Sequence, residues 1–209
     1  MPAAPDAKAI AALRKSDPVL RELIEEVGPL GDFFAGRPTD HYGMLVRSIA
    51  GQQLSTRAAA AIYARLLDRF GGHPPTPEEV LADDPDELRT AAGLSHAKVR
   101  YLRSLAEHIL DGSLQLDRLS ALPDDEVMAA LTAVSGIGPW SAQMFLMFHL
   151  RRPDVLPSGD LGIRRAVMIR YGLPAMPKPA EVDAIGERWR PYRSLASVYL
   201  WRSLRTTPV

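Results

Sequence analysis

Proline is the residue that most constrains how this 209-residue chain can fold, because eighteen prolines are spread along its length. A proline inside a helix or a central strand removes a backbone hydrogen bond, whereas the first turn of a helix accepts one without loss. In residues 17–27, Asp17 and Pro18 precede apolar residues that recur at helical spacing, which predicts a capped helix. No segment alternates β-branched and polar residues at period two, so we predict no strand. The pattern predicts an all-α, compact, multi-helical fold of about ten short helices.

The other predicted helices have boundaries of the same kind, with serine, aspartate or proline at the start and glycine or a change of pattern at the end. They span residues 42–50, 55–70, 77–92 (as more than one short helix), 95–110, 123–133, 139–149, 160–171, 179–188 and 191–204. No repeat of fixed period and no long linker interrupts them. We therefore expect residues 1–209 to form a single helical unit.

Composition excludes several classes of function. The chain has no cysteine, which rules out disulfide scaffolds, thiolate zinc sites, iron–sulfur clusters and cysteine nucleophiles. Its five histidines show no spacing typical of a transition-metal site. No apolar run approaches the roughly 20 residues of a membrane span, and the N-terminus lacks the order of a signal peptide. We therefore expect a cytoplasmic protein with no membrane partner.

Charge is unevenly distributed, although 25 basic and 25 acidic residues cancel. Residues 151–209 contain eleven arginines and lysines and five acids, so this part has a formal charge of +6 and residues 1–150 have −6. A basic segment on a neutral protein is compatible with a polyanion bound on one face. Ordinary solvated helix faces would give the same count, so charge alone leaves both interpretations open.

The most specific segment is LTAVSGIGPWSA at residues 131–142, where two glycines separate two predicted helices. Glycine adopts positive φ and leaves no side chain between the backbone and a ligand. Backbone N–H groups at the start of the second helix attract negative charge, so a phosphate could bind the amides around Gly136 and Gly138. Such a contact holds a nucleic-acid backbone without reading its sequence. The alternative is a helical hairpin with a glycine stop and no ligand.

This segment resembles the helix-hairpin-helix element of the DNA glycosylase superfamily. In that family a Gly/Pro-rich loop and an aspartate follow the hairpin, and VLPSGDLGIRR at residues 155–165 supplies both, with Asp160 at the family's usual distance from Gly138. Three further matching segments are LVRSIAGQQLS (45–55), GLSHAK (93–98) and ERWRPYRS (187–194). Together they are similar to the alkylation-repair branch, the 3-methyladenine DNA glycosylase II type, without that type's extra N-terminal domain. The resemblance covers residues 40–205.

The resemblance implies an architecture and an activity. The fold would have two helical subdomains with a cleft between them, one formed by residues 40–150 with the hairpin 131–142, the other by residues 1–39 and 151–209. The activity would be that of a monofunctional DNA glycosylase in base excision repair. Such an enzyme flips alkylated purines, of the 3-methyladenine and 7-methylguanine type, out of double-stranded DNA and hydrolyses their N-glycosidic bond. Two alternatives remain open: a non-enzymatic protein that binds the DNA backbone through the hairpin, and a related glycosylase for deaminated bases.

Asp160 is the candidate catalytic residue. Cleavage of an N-glycosidic bond leaves positive charge on the sugar, and a carboxylate beside the sugar stabilises this charge and can orient or deprotonate the attacking water. Asp160 stands at the start of a predicted helix, where backbone N–H groups favour a negative charge. Its alternative role is to cap that helix, and the two roles are compatible because a capping carboxylate has a fixed direction.

Trp140 bears on both mechanism and substrate. Strand-cleaving relatives have a lysine where the second hairpin helix begins, and tryptophan cannot form a Schiff base there, so the resemblance implies no AP lyase activity. An aromatic ring also stacks well on a flipped, cationic base, which makes Trp140 the first candidate for the base pocket. Four further pocket candidates, each with core packing as its alternative, are Met144, Trp189, Tyr192 and Trp201.

The resemblance also assigns residues that hold DNA. The family's wedge fills the space of the flipped base and follows the first glutamine of GQQLS. Gln53 is therefore the wedge candidate, with Leu54 and Gln52 beside it, and a plain turn capped by Ser55 is the alternative. The residues expected to contact the DNA backbone are Gly136, Gly138, Ser141 and Arg164.

A monovalent cation is expected in the hairpin. The resemblance assigns it to the backbone carbonyls of Thr132, Val134 and Ile137, where Na⁺ or K⁺ would bridge to a DNA phosphate. The chemistry itself requires no cofactor, because a cationic base is already a good leaving group. The expected partner is double-stranded DNA, bound by a monomer at the nucleoid in the cytoplasm.

Overall fold

The computed structural model describes residues 7–31 and 38–206, with side chains through residue 204. These residues contain twelve α-helices, two short 3-10 helices and no strand, which confirms the predicted all-α fold. The α-helices are α1 (Ala7–Ser16), α2 (Pro18–Val27), α3 (His41–Gly51), α4 (Thr56–Arg69), α5 (Pro77–Ala82), α6 (Pro85–Ala92), α7 (His96–Leu110), α8 (Asp124–Thr132), α9 (Pro139–Phe148), α10 (Leu161–Arg170), α11 (Pro179–Gly186) and α12 (Arg193–Thr206). The 3-10 helices are Leu116–Arg118 and Glu187–Trp189. No helix in the described part of the chain is long and apolar enough to cross a membrane.

Prolines and capping side chains begin the helices as the sequence predicts. The carboxylate of Asp17 accepts hydrogen bonds from two backbone N–H groups in the first turn of α2. At α5, Thr76 and Glu79 form a reciprocal capping box. Prolines occupy the first turn of α2, α5, α6 and α11, where the missing N–H would have no helical partner. The short helices therefore owe their boundaries to local sequence.

The last helix begins later than predicted. We expected it over residues 191–204, but it starts at Arg193. The 3-10 helix Glu187–Trp189 precedes it, and the backbone N–H of Tyr192 bonds to the carbonyl of Trp189 at 2.8 Å. The same 3-10 helix ends α11 at Gly186 rather than at residue 188. A tight turn thus lies between α11 and α12, where the sequence suggested two longer helices.

The chain divides into two compact units, Met1–Gly36 with Leu146–Val209 and Arg37–Phe145. In the first unit, α2 and α10 pack on α12, and their apolar side chains form its core. In the second unit, α7 packs on α3, α5 and α6. Residues of α9 belong to both units, because the boundary falls between Phe145 and Leu146.

A buried aspartate lies in the core of the first unit. Asp17 is fully buried, and its Oδ2 accepts hydrogen bonds from the hydroxyl of Tyr171 (2.5 Å) and the indole N–H of Trp189 (2.9 Å). Burial, followed by the hydrogen bond to Asp17, raises the pKa of Tyr171 far above its usual range, so this hydroxyl remains a donor. Trp189 is also fully buried, which corrects the prediction that it lines a base pocket. A ring without exposed surface packs the core, and its N–H finds a polar partner there.

Candidate functional site

Asp160 precedes α10 in the first unit and caps it. Its Oδ1 accepts a hydrogen bond from the backbone N–H of Ile163 (2.8 Å) and another from the indole N–H of Trp201 (2.9 Å). Its own backbone N–H bonds to the carbonyl of Pro157 at 2.9 Å, which closes the preceding turn. The carboxylate is half-buried. Asp160 therefore has the capping role, and the two donors to Oδ1 give its carboxylate a fixed direction.

Trp201 of α12 supplies the indole N–H that holds Asp160. Its ring stacks on Phe148, with a centroid distance of 6.0 Å and an interplanar angle of 30°. Gly162 lies against this contact, because a Cβ there would be 3.0 Å from Oδ1 of Asp160 and 3.1 Å from Cδ1 of Trp201. Trp201 is among the candidates predicted from the sequence, whereas Gly162 is not. The available signal was a glycine in the first turn of a helix, where alanine has the higher helix propensity.

Two neighbours of Asp160 on α10 differ in their surroundings. Leu161, a large apolar side chain, is 66% exposed. Arg164 is half-buried, and its Nε donates to the carbonyl of Pro177 at 2.8 Å, so it supports the segment before α11. A guanidinium has further N–H groups, and the contact of Arg164 with the DNA backbone stays a prediction.

The other candidates for the base pocket lie in different units. Tyr192 packs, half-buried, against the core of the first unit. Trp140 and Met144 lie on α9 in the second unit, Met144 half-buried and Trp140 50% exposed. Half of the Trp140 surface is thus accessible to a ligand, and its place in a base pocket stays a prediction.

The hairpin of the second unit joins α8 to α9. The turn begins after Thr132, where α8 ends, and α9 starts at Pro139. Between them, the backbone N–H of Ile137 donates to the carbonyl of Val134 at 3.1 Å. Ser141 is half-buried in the first turn of α9. The segment therefore forms two helices joined by a short hairpin turn, as the sequence predicts.

The two glycines of the hairpin have different roles. Gly136 has a φ of +86°, and a Cβ there would lie 2.1 Å from Cγ of the Tyr101 ring. Around Gly138, no atom lies within 4 Å of the position that a Cβ would take. At Gly136 the space that a side chain would take is therefore filled by the ring of Tyr101, and the turn itself requires a glycine there. The contact of the Gly136 amide with the DNA backbone stays a prediction. Gly138 is the glycine with open space beside its backbone.

The carbonyls expected to hold a monovalent cation belong to this hairpin. The carbonyl of Val134 accepts one hydrogen bond, from Ile137, and a carbonyl oxygen has a second lone pair. The hydroxyl of Thr132 donates to the carbonyl of Met128 (2.7 Å), so this hydroxyl is bonded within α8. Neutral carbonyl oxygens are suitable ligands for K⁺ or Na⁺. Among the described residues, no group of three or more His, Asp or Glu side chains is placed to hold a metal ion. The monovalent cation on the carbonyls of the hairpin stays a prediction.

The segment GQQLS forms the turn between α3 and α4. The amide Nε2 of Gln52 donates to the carbonyl of Gly136 at 2.8 Å, which ties this turn to the hairpin. Gln53 is exposed with a φ of +58°, and Leu54 is 40% exposed. Ser55 caps α4, as the alternative interpretation expected. The amide of Gln52 is bonded within the protein, whereas the more exposed Gln53 and Leu54 are better placed as wedge candidates. The wedge assignment stays a prediction.

Comparison with known proteins bears on this arrangement. The family model described as HhH-GPD superfamily base excision DNA repair protein matches residues 46–191. DNA-3-methyladenine glycosylase 1 of Schizosaccharomyces pombe is 34% identical over 185 residues, which cover 88% of this chain and 81% of that protein. A putative DNA-3-methyladenine glycosylase of Bacillus subtilis is 33% identical over 169 residues, covering 78% of this chain and 58% of that protein. The structure of the Schizosaccharomyces pombe 3-methyladenine DNA glycosylase in complex with abasic DNA matches with a TM-score of 0.84 and 33% identity, over 95% of this chain and 97% of that one.

Proposed function

The chain belongs to the HhH-GPD superfamily of base excision DNA repair proteins, and from that premise we propose that it is a monofunctional DNA glycosylase that removes alkylated purines from double-stranded DNA. The observation that carries the proposal is Asp160, a half-buried carboxylate fixed by the backbone N–H of Ile163 and the indole N–H of Trp201. A protein that only binds the DNA backbone has no need of a carboxylate held in this way. Relatives named DNA-3-methyladenine glycosylase, similar over most of this chain, support alkylated purines as the substrate class.

The proposed reaction is hydrolysis of the N-glycosidic bond. The bond between C1′ and the base nitrogen breaks, and the base leaves with both bonding electrons. Asp160 stabilises the positive charge that develops on the sugar and orients a water molecule. The water oxygen bonds to C1′, and its proton passes to the carboxylate and from there to solvent. A purine alkylated at N3 or N7 is cationic, leaves as a neutral base and requires no general acid.

Trp140 supports both the substrate class and the absence of strand cleavage. An accessible indole ring attracts a cationic base by stacking and cation–π interaction, worth about 1–2 kcal/mol in a site that excludes water. The ring has no amine that could attack C1′ and form a Schiff base. We therefore expect an abasic site in an intact strand as the product.

The hairpin is proposed to hold the DNA backbone. The open backbone at Gly138 and the start of α9 suit a phosphate. A monovalent cation on the carbonyls of Thr132, Val134 and Ile137 would supply positive charge for a phosphate when it is bound. These contacts carry no sequence information. This suits a repair enzyme, because lesions occur in any sequence context.

Base release from methylated duplex DNA tests the proposal. The wild type should release 3-methyladenine and 7-methylguanine, identified by chromatography, and leave the strand uncut until the abasic site is treated with alkali. Asp160→Asn should lower the single-turnover rate by at least roughly 10²–10³-fold, while its affinity for undamaged duplex stays within about twofold. Release of uracil or hypoxanthine alone would show that the substrates are deaminated bases and not alkylated purines. Salt-sensitive duplex binding without any base release would contradict the enzymatic function and favour a protein that only binds DNA.

A further inference from the structure

The turn between α3 and α4 contains an unfavourable backbone conformation. We call Gly51–Ser55 the wedge turn. Gln53 adopts the left-handed region, with a φ of +58°, although it is not a glycine, and Leu54 presents an apolar side chain to solvent. A left-handed non-glycine residue is unfavourable by itself and persists where the surroundings hold it. The contacts that hold the wedge turn are therefore informative about its function.

One contact fixes the start of the wedge turn. The ammonium group of Lys98, on α7, donates to the carbonyl of Ala50 at 2.8 Å, and Ala50 lies in the last turn of α3. Carbonyls in the last turn of a helix lack helical partners, and a cation there also suits the helix dipole. Lys98 is partly buried, and burial lowers its pKa, so an ammonium group is retained here against a desolvation cost. This lysine belongs to the segment GLSHAK, to which the sequence alone gives no role.

The same face of α7 also supports the hairpin. Tyr101, three residues after Lys98, packs its ring against Gly136. Ser104, three residues further, accepts a hydrogen bond from the backbone N–H of Ser135 at 3.3 Å. Residues three apart on a helix are neighbours on its surface. We call Lys98, Tyr101 and Ser104 the α7 row.

A further hydrogen bond joins the wedge turn directly to the hairpin. Gln52 of the wedge turn donates to the carbonyl of Gly136 in the hairpin at 2.8 Å. The wedge turn, the hairpin and the α7 row all lie within the second unit. The segment expected to enter the base stack and the segment expected to hold a phosphate are thus fixed to one helix and to each other.

We propose that Lys98 is a positioning residue for base flipping. It acts through the wedge turn, which it holds in a fixed position relative to the hairpin. This inference rests on the proposed glycosylase function. Extruding a base from a duplex requires unpairing and unstacking, and a wedge that is already ordered loses less conformational entropy on insertion. Loss of the Lys98 contact therefore slows extrusion of a paired base. A base that is already unpaired needs little help from the wedge.

Two substrates separate this role from a structural one. Lys98→Met keeps most of the side-chain volume and removes the ammonium group; Lys15→Met, at an exposed position of α1, is the matched control. Single-turnover release is measured for the same alkylated purine in a fully paired duplex and in an unpaired bulge. We expect Lys98→Met to lose roughly tenfold or more on the duplex and less than about twofold on the bulge. Without this hydrogen bond from a charged group, the wedge turn has to be ordered while a paired base is extruded, and an unpaired base does not need that step. Lys98→Arg should recover part of the duplex rate, and Lys15→Met should match the wild type on both substrates.

A mutant cycle tests whether Lys98 acts through the wedge turn. In a Gln53→Ala, Leu54→Ala background the wedge side chains are absent, so adding Lys98→Met should slow duplex release by less than about twofold. Gln52→Met removes the other contact and should show the same split between duplex and bulge, which keeps the test decisive if Lys98→Met folds poorly. Equal losses on both substrates, or full additivity in the cycle, would overturn the positioning role. A wild type that releases no base from either substrate would instead refute the proposed function.

Discussion

Two aspartates of the first unit have nearly the same local chemistry. Asp17 caps α2 and accepts a hydrogen bond from the indole N–H of Trp189, while Asp160 caps α10 and accepts one from the indole N–H of Trp201. Each tryptophan also lies close to a glycine. A Cβ at Gly186 would be 3.2 Å from the Trp189 ring, and one at Gly162 would be 3.1 Å from the Trp201 ring.

Accessibility separates the two aspartates. Asp17 and Trp189 are 0% exposed, whereas Asp160 and Trp201 are half-buried and Asp160 adjoins the exposed Leu161. Hydrogen bonds reach both oxygens of Asp17, because Oδ1 caps the helix and Oδ2 accepts from Tyr171 and Trp189. The same bonding pattern thus serves the core at one position and a candidate reaction site at the other. A capped carboxylate with an indole partner indicates function only where a substrate can reach it.

The same substitution at both aspartates should give the largest contrast. At Asp160, the helix cap and the indole both bond to Oδ1, so an asparagine oxygen can keep both contacts. At Asp17, the asparagine NH₂ would have to face the N–H of Trp189, since Oδ1 is taken by the helix cap. We expect Asp17→Asn to lower the free energy of unfolding by about 2–4 kcal/mol, and Asp160→Asn by less than about 1 kcal/mol while base release is lost. Urea unfolding and base release measured on both variants check this, and equal destabilisation would abolish the contrast.

Replacing each indole by a phenyl ring, which is smaller and lacks the N–H donor, should sharpen the comparison. Trp201→Phe keeps an aromatic ring beside Phe148 and removes the donor to Asp160. We expect base release to slow by roughly tenfold with little change in the unfolding free energy, because the donor helps to fix the carboxylate. Trp189→Phe should instead destabilise by about 1–3 kcal/mol, since it leaves a buried acceptor of Asp17 with one donor fewer. A Trp201→Phe variant with unchanged single-turnover rate would show that the indole does not position the carboxylate.

The glycines should give the smallest effects. Gly162→Ala introduces a Cβ 3.0–3.2 Å from Asp160 and Trp201, which requires shifts of a few tenths of an ångström. We expect base release to fall by about two- to threefold, while the unfolding free energy stays nearly constant because alanine favours the helix by up to about 1 kcal/mol. Gly186→Ala would meet Cδ2 of Leu156 at 2.4 Å and should destabilise without lowering the single-turnover rate of the folded protein. Thermal unfolding and single-turnover kinetics on the two alanine variants separate these outcomes.

Local sequence was sufficient for most helix starts and for the position of Asp160, but not for the bounds of α11 and α12. Proline and capping residues act within one helical turn, so the start of α2 and the hairpin between α8 and α9 follow from short segments. Contacts between distant segments could not be predicted in this way. The reason for Gly136 is the ring of Tyr101, and the partner of Gln52 is a carbonyl of the hairpin. Burial of Trp189 likewise depends on segments far apart in the chain, which periodicity does not specify.

The division of the chain into units affects the order in which the protein can form on the ribosome. The second unit, Arg37–Phe145, is continuous, so every residue of the wedge turn and of the hairpin turn has been translated before Leu146 is added. The first unit is discontinuous in sequence. Asp17 is synthesised early, but its hydrogen-bond partners Tyr171 and Trp189 are synthesised only after the whole second unit. Domains generally fold as units during synthesis. A nascent or prematurely terminated chain can thus complete the two turns that are proposed to contact DNA, while the carboxylate of Asp160 acquires its indole partner only when translation reaches Trp201.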